Sequence, residues 1–212
     1  IVDRYDSPKK FIDLLEENKN KSHYLAIVGT CNQTESKRKF TPSLYKKLKE
    51  EYPKESLLNF SSDGLNDWCI LHNSFWLLKN LKVKNLLLTL NVGTYISFKA
   101  KIFDHFTHRP FLHAPDNGDF LYEEQFKIYR FNRKRMQMWE KILNLKLDRL
   151  IEECKKTSVK PIIINYGGQK IWHDKHLIDW HSLYKENKNI DLDKRTEITN
   201  NQVFEKISDI IS

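Results

Sequence analysis

Four short apolar runs punctuate this sequence, with stretches of helical spacing between them. The runs are Tyr24-Leu25-Ala26-Ile27-Val28 ended by Gly29, Ser56 to Phe60, Asn85 to Leu90, and Lys160 to Tyr166 closed by Gly167-Gly168. Runs of this length, bounded by glycine or polar residues, read as buried strands rather than helices. The intervening segments carry helix signals. Ser7-Pro8 precedes Phe11, Leu14 and Leu15; Thr41-Pro42-Ser43 precedes Leu44 and Leu48. A capping residue followed by proline at the first helical position is a helix start. Asn66 to Leu81 is apolar over much of its circumference and reads as a largely buried helix. A long helix spans about Leu121 to Thr157, and Leu177 to Trp180 is a short fifth strand. Thr199 with Gln202 resembles a capping box opening a last helix through Val203, Phe204, Ile207 and Ile211.

Strands alternating with helices predict an α/β fold, with a mostly parallel sheet covered on both faces. The specific expectation is a flavodoxin-like three-layer αβα sandwich whose five strands run in the order 2-1-3-4-5. The whole chain, residues 1–212, reads as one domain, and residues 92–120 form an irregular insertion that could serve as a lid. In that strand order the chain reverses direction between the first and third strands. Open α/β sheets bind ligands at such a switch point, outside the strand carboxyl ends. The residues just past those ends are Gly29-Thr30-Cys31 and Asn91-Val92-Gly93, and Gly64 follows the second strand.

Composition narrows the function classes. The 212 residues are 40% hydrophobic and 12% aromatic, enough for a packed core and unlike a disordered chain. No apolar run approaches the ~18 residues of a membrane span. The sequence begins at Ile1, so a membrane link would come through an anchor upstream of it. The compartment stays open between bacterial cytoplasm and cell envelope. The net charge of +8 raises nucleic-acid binding as an alternative, with Lys127, Arg130, Arg133, Lys134 and Arg135 as its densest cluster. No GxGxxG or GxxxxGKS follows a strand, so that alternative has charge alone behind it.

Three cysteines, Cys31, Cys69 and Cys154, lie at wide spacings with no CxxC, which argues against a zinc knuckle or thioredoxin-type site. Cys69 and Cys154 fall at apolar helical positions and read as core. Cys31 follows a strand. Three histidines, His173, His176 and His181, stand near Asp174 and Asp179. One could act as a base, and His173 with His176 could bind a metal, but their spacing is no recognised metal signature. The sequence leads to the expectation of no metal and no cofactor. Trp68, Trp76 and Trp139 read as core, whereas Trp172 and Trp180 could stack on a sugar ring.

In the order and spacing of these motifs the chain resembles the SGNH (GDSL-type) hydrolase superfamily, including bacterial acyl-transfer proteins of the cell envelope. Gly29-Thr30-Cys31 sits where the family has Gly-Asp-Ser, Gly64 in SSDGLND where it has a lone glycine, and Asn91 where it has the asparagine of its third block. The acidic loop Asp191 to Glu197 stands in place of Asp-x-x-His before the last helix. The resemblance implies an esterase or acyltransferase acting on O-acyl, chiefly acetyl, groups of a polysaccharide or envelope polymer. It implies Cys31 as nucleophile, with Thr30, Gly64 and Asn91 binding the oxyanion or substrate. Asp193, Glu197 and His181 are the candidates for the base and its orienting acid. The sequence departs from the family in having cysteine for serine and no histidine after His181. Two other readings follow: an inactive SGNH-type domain binding a glycan or partner, and a basic nucleic-acid-binding domain.

Overall fold

The computed structural model describes residues 11–29, 33–34, 38–61, 67–90, 133–166 and 170–212. Helix α1 covers residues 11–18 and buries Phe11 and Leu15, the two apolar positions one turn apart. Strand β1 runs Ser22–Gly29. Two-residue strands β2 (Gln33–Thr34) and β3 (Arg38–Lys39) pair antiparallel. Then come α2 (Phe40–Glu51), β4 (Leu57–Asn59), α3 (Asp67–Asn80), β5 (Lys82–Leu90) and α4 (Arg133–Lys156). The remainder is β6 (Lys160–Asn165), β7 (Leu177–Asp179), α5 (Trp180–Glu186) and α6 (Leu192–Ile211).

Five strands form one sheet in the order β4-β1-β5-β6-β7, and every pair is parallel. Counting the strands of this sheet along the chain, that is 2-1-3-4-5, the order expected from the sequence. Strand alternation splits the core into two layers. Ala26 and Val28 of β1, Leu86, Leu88 and Leu90 of β5, and Ile163 of β6 face the side covered by α1, α3 and α4. Leu25, Ile27, Leu87, Ile162 and Ile164 face the side covered by α2, α5 and α6. The central strands are apolar on both faces because both are covered, which is why they read as continuous runs in the sequence.

One expectation fails. The last helix does not open at Thr199. It opens at Leu192 with Asp191 at its cap, so Asp191 to Glu197 is not a loop but the start of α6. Thr199 lies inside the helix, where its Oγ1 donates to the Arg195 carbonyl at 2.8 Å, and Gln202 Oε1 accepts from Asn187 Nδ2 at 2.9 Å. Apolar periodicity begins at Val203 because the buried positions before it are threonines, Thr196 and Thr199, whereas Val203, Ile207 and Ile211 are buried in the core. Among the described residues, no helix is long and apolar enough to cross a membrane.

Candidate functional site

All five strands being parallel, their carboxyl ends share one rim, and β1 and β5 are neighbours across it. Their last paired residues are Gly29 and Thr89. A Cβ built on Gly29 collides with the Thr89 side chain, so glycine is the residue that lets these two strand ends close up. The chain continues from Gly29 into Thr30 and Cys31, from Leu90 into Asn91, and after β4 toward Gly64. Thr30, Cys31, Gly64 and Asn91 themselves lie outside the described residues, as does the 92–120 insertion.

Among the described residues at these strand ends, three polar side chains are buried. Thr89 and Asn165, near the ends of β5 and β6, are buried, and Asp67, the first residue of α3, is 1% exposed. Below them the same strands carry Leu87, Leu88, Ile162, Ile163 and Ile164, all fully buried. Buried polar side chains are retained where they have partners, and they fix geometry more than they add stability. Sequence reasoning missed Asp67, Thr89 and Asn165. The signal available was a polar residue near the end of two apolar runs, Thr89 and Asn165; Asp67 follows no such run.

His181 is in the first turn of α5, directly past the carboxyl end of β7, and so on this same rim. Asp179 holds that turn. Its Oδ1 accepts from the backbone amides of His181 (3.1 Å) and Ser182 (3.3 Å), while Oδ2 accepts from Ser182 Oγ (2.7 Å). Strands β5 and β6 stand between β7 and β1. At ~4.8 Å per strand, about 14 Å of sheet separates His181's strand from the strand leading to Cys31.

The three histidines do not cluster. His176 precedes β7 at the amino-end side of the sheet, where its ring meets the Pro161 backbone at the start of β6. Desolvation first, then the charges of His173, Lys155 and Lys175, push its pKa below the usual histidine value. His173 Nε2 lies 2.9 Å from Asp148 Oδ1 on α4, close enough for an ion pair but without a properly aligned hydrogen bond. The intervening β7 carries the chain to the opposite rim before His181. Among the described residues, no group of three or more His, Cys, Asp or Glu side chains is arranged to hold a metal.

Helix α6 brings its start to the rim. At the amino end of the sheet, Tyr24 donates to the Ile211 carbonyl (2.7 Å) and Lys160 to that of Ile210. At the other end, Trp180 Nε1 donates to Asn200 Oδ1 at 2.8 Å. Asp193 and Glu197 therefore lie beyond Asn200, on the rim side of the helix. Glu197 is exposed to solvent, whereas a carboxylate base working near neutral pH needs burial.

Trp180 is not a sugar platform. It is 6% exposed and packs between Tyr166 (centroids 4.3 Å apart) and Tyr184 (4.7 Å), so its ring belongs to the core. Trp172 is 54% exposed. Trp76 is half-buried, stacks on Phe11 at 5.9 Å and packs against the core, in which Cys154 is buried. The side chains of Cys69, Trp68 and Trp139 lie outside the described residues.

A cavity of about 590 Å³ opens at the opposite, amino-end rim, among Lys19, His23, Lys79, Lys82 and Lys84. Both ring nitrogens of His23 are engaged, Nδ1 with Ser56 Oγ (2.8 Å) and Nε2 with the Asn18 carbonyl (3.0 Å). Lys79 closes the last turn of α3, where a cation complements the helix macrodipole. That cavity lies at the opposite end of the sheet from the paired Gly29 and Thr89. No known protein-family model matches the chain, and no curated protein matches it.

Proposed function

We propose that this chain is an SGNH-like esterase or acyltransferase acting on O-acyl, chiefly acetyl, groups of a polysaccharide or cell-envelope polymer. The observation that supports it is the adjacency of the β1 and β5 carboxyl ends, with Gly29 abutting Thr89, because the motif residues Cys31 and Asn91 follow directly from those two ends.

In this reading the Cys31 thiolate attacks the acyl carbon, and Thr30, Gly64 and Asn91 stabilise the oxyanion that forms. The sugar alkoxide leaves with the proton taken from the thiol, and water or a second hydroxyl then attacks the thioester and releases the Cys31 sulfur. His181 is the proton carrier, since its helix starts at the same rim and Glu197 is exposed. The strands leading to His181 and Cys31 stand ~14 Å apart across the sheet.

That gap favours a second reading, an SGNH-type domain that kept its groove and binds a glycan without acting on it. Turnover of 4-nitrophenyl acetate, an acetyl thioester and acetylated xylan separates the two. Hydrolysis that disappears in Cys31→Ala supports the first. A rate no higher than that of Cys31→Ala rejects catalysis and leaves the second.

A further inference from the structure

Residues 170–173 are laid along one stripe of α4. Glu140, Asn144 and Asp148 recur every four residues and so face the same way. Glu140 Oε1 accepts from the Lys170 amide at 3.1 Å. Asn144 is fully buried; its Nδ2 donates to the Lys170 carbonyl at 2.9 Å and its Oδ1 accepts from the Trp172 amide at 2.7 Å. Asp148 then meets His173 at 2.9 Å. A single amide side chain thus serves the backbone on both sides of Ile171, which is itself buried in the core. The segment is held rigidly, yet the next side chain, Trp172, is left 54% exposed.

We propose that Trp172 is the stacking platform of a glycan-binding subsite on the outer flank of α4, with the Asp148 carboxylate accepting from sugar hydroxyls. This rests on the glycan-substrate half of the function proposed above. A main chain held in this way gives up little conformational freedom when a ligand arrives. Its surroundings select the ligand. Lys170 and Lys175 are exposed, and the Asp148 side chain is 47% exposed, so an apolar occupant would strip water from charged groups. A pyranose ring offers an apolar C–H face for the indole and hydroxyls for the carboxylate.

Position also fits. Asn144 lies midway along the 24-residue α4, about 18 Å from its carboxyl end at 1.5 Å per residue. Strand β6, with six residues, spans about 20 Å. The platform is therefore level with the strand carboxyl ends, where a polymer crossing the rim would pass.

Chitohexaose, cellohexaose and xylohexaose, titrated by calorimetry and tryptophan fluorescence, test this. At least one is expected to bind, about tenfold or more weaker in Trp172→Ala, with Trp172→Phe keeping part of the affinity. Asp148→Asn is expected to weaken binding as well. Circular dichroism checks that the variants fold. Binding of none of the three sugars, or equal affinity in Trp172→Ala, overturns the subsite. Hydrolysis of 4-nitrophenyl acetate reads the catalytic reading separately, because that small ester does not need the platform.

Discussion

The Thr89 side chain occupies the space that a Cβ on Gly29 would take, and the two residues are register partners at the carboxyl ends of β1 and β5. Both strands are parallel and central, so neither can move aside without disturbing a core layer. Gly29→Ala is expected to lower the unfolding free energy by about 1–3 kcal/mol, the usual cost of overpacking. Thr89→Ala in the same chain should recover part of that loss. Chemical denaturation of the two single variants and the double variant measures the coupling, and simple additivity would show that the two sites do not press on each other.

Asp179 caps α5 through both amide and hydroxyl contacts, and His181 is one of the amides it holds. Asp179→Ala is expected to cost about 0.5–2 kcal/mol, typical of a lost amino-terminal cap. Asp179→Asn, which keeps an acceptor, should cost less. Thermal melts of the two variants give the comparison, and equal melting temperatures would contradict a capping role.

The Cys154 thiol is buried, and that burial pushes its pKa up to about 12. A thiol held protonated is a poor nucleophile. Iodoacetamide at about pH 8.5, where an ordinary cysteine is half ionised, should leave Cys154 unmodified in the folded protein and modify it after denaturation. Peptide mass mapping follows it. Native-state labelling of Cys154 as fast as in the denatured chain would contradict the buried placement.

Desolvation and nearby cations hold His176 below the ordinary histidine midpoint. The unfolded chain therefore takes up this proton first as pH falls. The stability linked to a neutral His176 is complete above about pH 6.5 and declines as pH drops through the lowered folded-state value. A proton NMR titration should place the His176 midpoint under that of a model peptide, and Lys155→Gln should move it upward. A midpoint at or above the peptide value would show that its surroundings do not act this way.

The sheet was legible because its central strands are buried on both faces. Leu25 to Val28 and Leu86 to Leu88 are fully buried, so no polar alternation interrupts them. The start of α6 was not legible, because the buried positions of its first turns are Thr196 and Thr199 rather than apolar residues. Trp180 was misread because indole size alone does not say whether its N–H finds a buried partner, and here Asn200 supplies one. The buried set at the rim was hidden for a different reason. Asp67, Thr89 and Asn165 come from separate elements, and only the fold brings their burial to one end of the sheet.

Strands β4 and β7, at the two borders of the sheet, are three residues each, against nine for β5 near its middle. A border so brief gives an incoming extended chain few backbone groups to pair with. Stacking of copies side by side through main-chain bonds is thereby discouraged, and the long, sticky segments are kept inward where only their own neighbours can reach them.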